Sequence, residues 1–390
     1  MVTADVVVIG LGAWGSQALW RLAARGVDVL GVERYDIGHA MGSTHGTTRL
    51  FRVACLEHPG LVPIAQRARD LWYELGDLTG QVLLRQTGGM MAGPASGHVV
   101  AGTLAAARAA DLGVEVLNRS ELAARVPAYA DIAEEDIGVW DPAAGITYPE
   151  AGVRAAVSAA QAAGARVRTH TRVAAVDADD DGVTVTTGDE VIRAQQVVLS
   201  AGPWMPHFTE LPLVARRTPM FWFAGPDPAD TAPGGRFDLD AFPVFIRELA
   251  DGNVLWGHGS RNTEFEQYAV KIGLEDRDGL THHPTDADRN DRTVHPGDHE
   301  LLSKAVGHAF PGLVNIPIRS VVCMITVSPD GQFLLGRPGG DPRIVIATGD
   351  SGHGFKHAPA LGELLAQVAT GEDPFTDITF LDPDRFSTTA

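Results

Sequence analysis

Residues 4–15 read Ala-Asp-Val-Val-Val-Ile-Gly-Leu-Gly-Ala-Trp-Gly, so that an apolar segment runs directly into three glycines. A helix-like run follows, and residues 27–32, Val-Asp-Val-Leu-Gly-Val, lead to Glu33. The order predicts a strand, a glycine turn, a helix and a second strand with an acid at its end. A unit of this kind holds the pyrophosphate of a dinucleotide on the N-terminus of its helix.

Each glycine of the turn has a physical reason to be there. Gly10 allows the tight turn, Gly12 lets the backbone approach phosphate, and Gly15 lets the helix lie close to the strand. Glu33 is placed to accept hydrogen bonds from ribose hydroxyls, and its carboxylate disfavours a 2′-phosphate. These residues predict a site for NAD or FAD. The alternative is a glycine-rich turn of an α/β protein that binds no ligand.

The composition describes an acidic chain that is long enough for two domains. Its 390 residues include 31 Lys and Arg against 49 Asp and Glu, which gives a net charge of −18. Such a charge argues against nucleic acid or an anionic membrane as a partner. The first strand is expected from about residue 5, which leaves no room for a signal peptide, and no apolar run has the length of a membrane span. We therefore expect a cytoplasmic protein.

Periodicity and turn residues predict the elements further along the chain. The polar segment 276–299 contains four histidines whose spacing matches no metal-ligand pattern, so we predict a loop without a metal. Helices are expected at about 61–77, 150–163 and 355–370, strands at 166–176, 183–187, 191–193, 196–199 and 343–348, and antiparallel strands within 214–272.

No second Gly-x-Gly-x-x-Gly follows a strand further along the sequence, so one dinucleotide is expected. If that dinucleotide is FAD, its electrons come from the substrate and leave to oxygen or to a protein acceptor. The two cysteines, Cys55 and Cys323, are too few for a disulfide framework or a multi-cysteine metal site.

Three further segments carry specific patterns: residues 42–52, Gly-Ser-Thr-His-Gly-Thr-Thr-Arg-Leu-Phe-Arg; residues 320–324, Ser-Val-Val-Cys-Met; and residues 351–356, Ser-Gly-His-Gly-Phe-Lys. With the glycine turn, they resemble the FAD-dependent amine oxidases of the monomeric sarcosine oxidase and N-methyltryptophan oxidase group, within the D-amino-acid-oxidase-like superfamily. The resemblance runs in the same order along essentially the whole chain. It implies an α/β fold in which a Rossmann-like FAD-binding domain (1–85, 150–213 and 320–390) is interleaved with an α+β substrate domain on an antiparallel sheet (86–149 and 214–319).

The resemblance also implies which residues hold FAD. Cys323 aligns with the cysteine that the group joins through sulfur to the 8α-methyl of the flavin, and a thiolate is able to add to an electron-poor flavin. A buried thiol without that bond is the alternative. Cys55 is expected to be an ordinary thiol. The implied cofactor-binding residues are Gly10, Gly12, Gly15, Glu33, Ser43, Thr48, Arg49, Val173, Cys323, Gly352, His353, Gly354, Phe355 and Lys356.

Four cations are expected around the flavin ring. By resemblance, Arg49 lies against one face of the ring, and Lys271 lies on the opposite face, where oxygen reacts. Arg52 and Lys356 match the pair that binds the substrate carboxylate. Fixed cations stabilise anionic reduced flavin and superoxide in a site shielded from water, and they favour the neutral form of a bound amine. The alternative is four unrelated surface cations.

Regions near the expected substrate depart from the group's pattern. Glu275 stands where the group often has histidine, and Ile325 stands where it has tyrosine. Trp256 and His258 stand where it has Tyr and Phe-type residues, and residues 55–59 replace a more glycine-rich stretch. The identity of the amine is therefore open. The predicted substrate-binding residues are Arg52, Lys356, Trp256, His258 and Ile325.

The resemblance implies an oxidase that acts on the C–N bond of an amino acid, first of all a secondary N-methyl amine. A hydride equivalent passes to FAD, the imine hydrolyses to an aldehyde and a demethylated amine, and oxygen returns as hydrogen peroxide. The expected partners are a small amine with a carboxylate and O2, without nucleic acid, membrane or metal, in a monomer or small homo-oligomer. The alternatives are an oxidase of another amine or of a cyclic or primary amino acid, an amine dehydrogenase with a different acceptor, and a flavoprotein without enzymatic activity.

Overall fold

The first strand, β1 (Val2–Ile9), leads through the glycine turn into helix α1 (Ala13–Ala23), and β2 (Val29–Val32) ends next to Glu33. This is the predicted strand–turn–helix–strand unit, although β1 begins at Val2 and not near residue 5. The computed structural model describes residues 2–188, 190–260, 268–275 and 281–386. Within those ranges, no helix combines the length and the apolar character that crossing a membrane requires.

The remaining helices and strands have the following bounds. The other helices are α2 (Leu61–Thr79), α3 (His98–Ala109), α4 (Arg119–Arg125), α5 (Pro149–Ala162), α6 (Pro228–Thr231), α7 (Glu300–Ala309) and α8 (Ala358–Thr370). The other strands are β3 (Arg49–Phe51), β4 (Leu84–Gln86), β5 (Gly89–Pro94), β6 (Glu115–Leu117), β7 (Asp136–Asp141), β8 (Gly145–Thr147), β9 (Arg166–Arg168), β10 (Val173–Asp179), β11 (Gly182–Thr187), β12 (Val191–Leu199), β13 (Val214–Phe223), β14 (Val244–Glu248), β15 (Val254–His258), β16 (Val270–Leu274), β17 (His283–Pro284), β18 (Arg319–Val327), β19 (Leu334–Gly336) and β20 (Ile344–Thr348).

The first sheet places β1 at its centre, between β12 and β2, with all three strands parallel. Its order is β10-β11-β12-β1-β2-β9, and β20 pairs in parallel with the end of β12. Val6 and Val8 face a core that helices α1, α2, α5 and α8 share, whereas Val7 and Ile9 face a core on the opposite side. Because both faces of β1 are buried, its sequence is a continuous apolar run.

The second sheet is mostly antiparallel, with the order β17-β13-β16-β15-β14-β5-β7-β6 and β18 on the other edge of β13. Phe221, Phe242, Phe245 and Phe310 belong to the aromatic core on this sheet. A small third sheet, β3-β8-β4, carries the segment that begins at Arg49. The fold class predicted from the sequence, a Rossmann-like domain joined to an antiparallel substrate sheet, is confirmed by the structural relatives described below.

Several predicted elements differ in detail. The expected strand 166–176 is two strands, β9 and β10, because the chain turns at residues 169–172, where His170 has a φ of 53°. The segments 191–193 and 196–199 form one strand, and the expected final helix opens with a 3-10 turn over Phe355–His357. Parts of the predicted antiparallel region (261–267) and of the polar segment (276–280) lie outside the described residues. The domain boundaries stay a prediction; β18 lies in the second sheet although residues 320–390 were assigned to the FAD-binding domain.

Candidate active site

A cavity of about 940 Å³ runs from the glycine turn to the loop before α8. Its volume lies near the upper end of the usual range for ligand pockets, roughly 300–1,000 Å³. Four predicted site residues, Gly15, Thr48, His258 and Lys271, are not part of the lining. The predicted residues that line it are Gly10, Gly12, Glu33, Ser43, Arg49, Arg52, Val173, Trp256, Cys323, Ile325, Gly352, His353, Gly354, Phe355 and Lys356.

The glycine turn packs tightly on one side and is open on the other. Gly10 has a φ of 85°, a left-handed conformation that glycine adopts without strain. A Cβ on Gly15 would lie 1.9 Å from the Gly10 carbonyl oxygen, so the helix contacts the turn directly. A Cβ on Gly12 would have Thr44 Oγ1, at 3.7 Å, as its nearest described neighbour. Gly12 therefore leaves open space at the N-terminus of α1, where an anion is stabilised.

Glu33 is fixed by the backbone of the turn that it follows. One carboxylate oxygen accepts a hydrogen bond from the Leu11 N–H at 2.8 Å, and the other accepts one from the Tyr35 N–H at 2.9 Å. Each carboxylate oxygen has two lone pairs, so each is able to accept a further bond from a ribose hydroxyl. The side chain is buried and lines the cavity, as the sequence predicts for a nucleotide-binding acid.

Three buried hydroxyls in the cavity wall point to a polar ligand. Ser43 Oγ, Thr326 Oγ1 and Thr348 Oγ1 line the cavity and have no hydrogen-bond partner within the described part of the chain. A buried hydroxyl without a partner costs about 1–3 kcal/mol, and a bound polar group relieves that cost. With the open space over Gly12, these hydroxyls fit a large polar cofactor such as FAD.

Cys323 lies on β18, next to the loop that precedes Arg49 and β3. Its Sγ is 3.3 Å from the Ser43 carbonyl oxygen and 3.7 Å from Arg49 Nη2. Burial raises the pKa of the Cys323 thiol, and the neighbouring Arg49 guanidinium opposes that rise. Ile325 is two residues further along the same strand and also lines the cavity, as expected from the two-residue period of a strand.

Arg52 and Lys356 meet at one carboxylate. Arg52 Nη2 lies 2.6 Å and Lys356 Nζ lies 3.1 Å from the same oxygen, Oε1 of Glu57. The three side chains are largely buried, and the second oxygen of Glu57 has no hydrogen-bond partner among the described residues. Burial alone would raise the pKa of Glu57, but Arg52 and Lys356 outweigh it and hold that pKa well below its ordinary value. We call this group the carboxylate clamp.

Lys271, on β16, is buried behind the loop that carries Arg49. Its ammonium donates to the Gly46 carbonyl at 2.9 Å and to the Thr48 carbonyl at 2.8 Å, and it lies 5.1 Å from the centre of the Trp222 ring. Burial, and secondly the charge of Arg49, lower the pKa of Lys271 well below its ordinary value. Lys271 does not line the cavity, and its contact with oxygen stays a prediction.

His258 was expected to bind substrate, but both of its ring nitrogens are bonded elsewhere. Nε2 lies 2.7 Å from Thr48 Oγ1, and Nδ1 lies 2.7 Å from the Gly259 carbonyl oxygen. Burial, with the charge of Lys271, lowers the pKa of His258 to about 4. This geometry favours a supporting role for His258 over the predicted substrate contact.

Trp256 and Glu275 form the far wall of the cavity. The Trp256 indole lies across Gly273 of the neighbouring strand, where a Cβ would come within 2.1 Å of the ring. Glu275 Oε2 is 3.3 Å from His98 Nε2, and it lines the cavity. Trp256 and Glu275 are two of the positions at which the sequence departs from the resembled group.

The loop before α8 closes the other end of the cavity. Gly352 has a φ of 82°, and the Trp14 indole N–H donates to the Gly354 carbonyl at 3.2 Å. His353 bonds to the Gly331 carbonyl oxygen, and burial lowers its pKa to about 4. Asp350 accepts hydrogen bonds from the Thr326 and Gly352 N–H groups, and burial raises its pKa to about 6.

Three acids near the site, Glu57, Glu150 and Asp350, were not assigned from the sequence. The position of Glu150 in the first turn of α5 gave a weak signal, because acids are favoured at helix N-termini. Glu57 and Asp350 lie in loops, and neither has a signal in the sequence alone. Over the described ranges, no group of three or more His, Cys, Asp or Glu side chains is arranged to hold a metal.

Comparisons with known proteins show what the whole chain is similar to. A family model described as FAD dependent oxidoreductase matches residues 5–368. The monomeric sarcosine oxidase of Streptomyces avermitilis is 32% identical over 389 residues, which cover 99% of this chain and 98% of that protein. The N-methyl-L-tryptophan oxidase of Citrobacter koseri is 31% identical over 385 residues, covering 98% of this chain and 99% of that protein.

Solved structures show the same fold. NikD, an unusual amino acid oxidase essential for nikkomycin biosynthesis, superposes with a TM-score of 0.82 at 23% identity and covers 98% of each chain. Glycine oxidase from Geobacillus kaustophilus superposes with a TM-score of 0.78 at 19% identity and covers 99% of each chain. At these identities the likeness concerns the fold alone. The whole-chain match and the two relatives at 30% identity or more establish that this chain belongs to the FAD-dependent oxidoreductase family.

Proposed function

We propose that the protein is an FAD-dependent oxidase of an amino acid, with a secondary N-methyl amine as the first candidate substrate. The observation that carries the proposal is the carboxylate clamp, in which Arg52 and Lys356 hold one carboxylate oxygen inside the cavity. Two buried cations that bind the carboxylate of Glu57 are chemically suited to bind that of a substrate. The names of the sarcosine and N-methyltryptophan oxidases support the amine class.

The residues around the cavity are suited to hold FAD, which supplies a two-electron acceptor when bound. Gly12 and the N-terminus of α1 would hold the pyrophosphate, Glu33 the ribose, and the loop 352–354 the pyrimidine end of the flavin. The orphan hydroxyls in the wall support this assignment.

We also propose that Cys323 joins the flavin covalently. The thiol is buried in the cavity wall within reach of Arg49, whose charge favours the thiolate. Burial opposes ionisation, so the reaction depends on Arg49. The bond would join Sγ to the 8α-carbon in place of the S–H bond and one C–H bond of the methyl group. The two electrons released would go to the flavin and from it to oxygen, and the two protons to solvent.

Within the site, the clamp would orient the substrate by its carboxylate and keep its amine beside the flavin. The cations Arg49, Arg52 and Lys356 disfavour an ammonium in their midst, so they favour the neutral amine that is able to give up a hydride. Lys271 would place positive charge where oxygen is reduced. No side chain is required as a general base.

The test is a peroxide assay on the purified holoenzyme with N-methyl, cyclic and primary amino acids, each paired with its methyl ester. We expect one free acid to bleach the flavin without oxygen and to yield peroxide with oxygen, while its ester reacts at least tenfold more slowly because one charge-assisted hydrogen bond or more is lost. If no amine bleaches the flavin, the proposed function is wrong. Bleaching without peroxide would favour a dehydrogenase. A cytoplasmic location and a monomer or small homo-oligomer stay predictions.

A further inference from the structure

The loop that holds Lys271 contains a tight turn over Gly46, Thr47 and Thr48. The Thr48 N–H donates to the Gly46 carbonyl at 2.8 Å, so three residues close the turn. Gly46 has a φ of 95°, and Thr47 has a φ of 66°, which is rare for a β-branched residue. A conformation of this kind costs about 1–3 kcal/mol and persists only when its surroundings fix it.

Two opposite charges fix the turn from its two sides. Glu150 Oε1 accepts hydrogen bonds from the N–H groups of Gly46 at 2.7 Å and Thr47 at 3.1 Å. Lys271 donates to the carbonyls of Gly46 and Thr48. The turn therefore presents its donors to the acid and its acceptors to the lysine, and it links the two charges through polarised peptide groups.

His258 fixes the side chain of the same turn. A carbonyl oxygen only accepts, so the 2.7 Å contact with Gly259 requires a proton on Nδ1 of His258. In the neutral ring, Nε2 is then the acceptor, and the Thr48 hydroxyl donates to it at 2.7 Å.

We propose that Glu150 and His258 are positioning residues for Lys271, which hold the 46–48 turn so that the buried ammonium stays charged and fixed in place. The inference rests on the oxygen-side role proposed above for Lys271. An ammonium has three donors, and the turn uses two of them. Burial and then Arg49 lower the pKa of Lys271, whereas Cys323 and then Glu150 raise it.

The first test replaces His258 by Phe, which keeps the ring but removes the acceptor for Thr48. We expect His258→Phe to slow reoxidation of reduced flavin by oxygen about tenfold, with anaerobic reduction by amine changed less than about twofold. The midpoint potential of the flavin should fall, because the nearby cation is less well fixed. His308→Phe, at an exposed histidine, is the matched control and should leave both measurements unchanged.

A second variant distinguishes the proposed contact between His258 and Thr48 from a general loss of folding. Thr48→Val removes the hydroxyl that His258 holds and keeps the carbonyl that Lys271 binds. If His258 acts through Thr48, the double variant should slow reoxidation no more than either single variant. Additive losses would overturn the relay between His258 and Thr48.

The second test replaces Glu150 by Gln, which keeps an acceptor for the two N–H groups and removes only the charge. We expect the pH above which reoxidation slows to move downward, because Lys271 then loses its proton more readily. Glu134→Gln, at an exposed acid, should not change that pH.

If Lys271→Met leaves reoxidation unchanged, the proposed role of Lys271 and this inference both fail. If Lys271→Met slows reoxidation while His258→Phe and Glu150→Gln behave as wild type, this inference alone fails.

Discussion

Glu57 accepts a 2.6 Å hydrogen bond from Arg52 in the buried place where the substrate carboxylate is expected. Lys356 binds the same oxygen, so the internal carboxylate pairs with both cations of the clamp, although Arg52 Nε has no hydrogen-bond partner among the described residues. A substrate carboxylate of the same chemistry would therefore compete with Glu57 for these cations. Glu57 lies in the loop that precedes α2, which is a segment that is able to move without disturbing a sheet.

We predict that Glu57→Gln lowers KM for a carboxylate-bearing amine about tenfold, because the competing charge is removed. The same change should destabilise the unliganded protein by roughly 3 kcal/mol, since two buried cations lose their counter-charge. Steady-state assays with the carboxylate-bearing amine measure KM, and denaturant unfolding without substrate measures the stability. Glu121→Gln, at an exposed acid, serves as control. An unchanged or higher KM would show that Glu57 does not compete.

Cys323→Ala should release the flavin from the protein. Acid-precipitated wild-type protein is expected to stay yellow, whereas the variant should give a colourless pellet and a yellow supernatant. Arg49→Met should reduce the yield of the bond, because burial then raises the pKa of the thiol without opposition. Cys55→Ala is the matched control and should keep its yellow pellet. A colourless wild-type pellet would refute the covalent proposal.

Gly12 and Gly15 should respond differently to alanine. A Cβ at Gly15 overlaps the Gly10 carbonyl and Ser200 Oγ, so Gly15→Ala should lower the free energy of unfolding by about 3 kcal/mol or more even without cofactor. A Cβ at Gly12 meets open space, so Gly12→Ala should leave that free energy within about 0.5 kcal/mol.

The affinity for FAD should depend on Gly12, although the free energy of unfolding does not. Titration of FAD into apoprotein, in the Cys323→Ala background, should give a Kd at least tenfold higher for Gly12→Ala, because its Cβ occupies space meant for the pyrophosphate. Equal affinities would place the pyrophosphate elsewhere.

Stability should fall steeply below pH 6.5. Burial, as the largest cause, lowers the pKa of His45 to about 3, of His258 and His353 to about 4, and of His357 well below its ordinary value. As pH falls through the unfolded value of 6.5, the unfolded chain binds protons at these four sites and the folded chain does not, so stability is lost. Burial raises the pKa of Asp350 from 3.8 to about 6, so near pH 5 Asp350 binds a proton in the folded chain and not in the unfolded chain. This proton offsets one of the four that the histidines bind in the unfolded chain.

The net difference near pH 5 is about three protons, which corresponds to roughly 4 kcal/mol per pH unit. Urea unfolding of the holoenzyme at pH 7, 6 and 5 measures the slope. His353→Gln should reduce the slope by about one proton, and His308→Gln should not change it. A free energy of unfolding that stays level from pH 6.5 to 5 would contradict the buried, neutral state of these histidines.

The glycine turn was predictable because its determinants are local. Strand, turn and helix lie within about 30 consecutive residues, and each glycine is required by geometry inside that segment. The predicted helices at 61–77 and 150–163 coincide with α2 and α5 to within two residues for the same reason. Val191–Leu199 was harder, because the polar residues in its middle interrupt the apolar pattern although the strand continues.

The clamp was predicted only in part. Resemblance pointed to Arg52 and Lys356, but nothing local indicates that Glu57 meets Lys356, which is 299 residues away in the sequence. The contact between His258 and Thr48 was not predictable for a similar reason. Thr48 is 210 residues distant, and a histidine on a strand gives no sign of which face its ring nitrogens contact.

The hydrogen bond from Trp14 to Gly354 spans 340 residues, and it joins the helix behind the glycine turn to the loop at the opposite end of the cavity. A nascent chain on the ribosome therefore carries the whole glycine turn long before it has a pocket. Strand β1 likewise has neighbours on both edges only after β12, which contains Val197, has been translated. Cofactor binding must therefore follow translation of almost the entire polypeptide. A product truncated before residue 354 would keep the glycine turn but would lack the loop that closes the other end of the cavity.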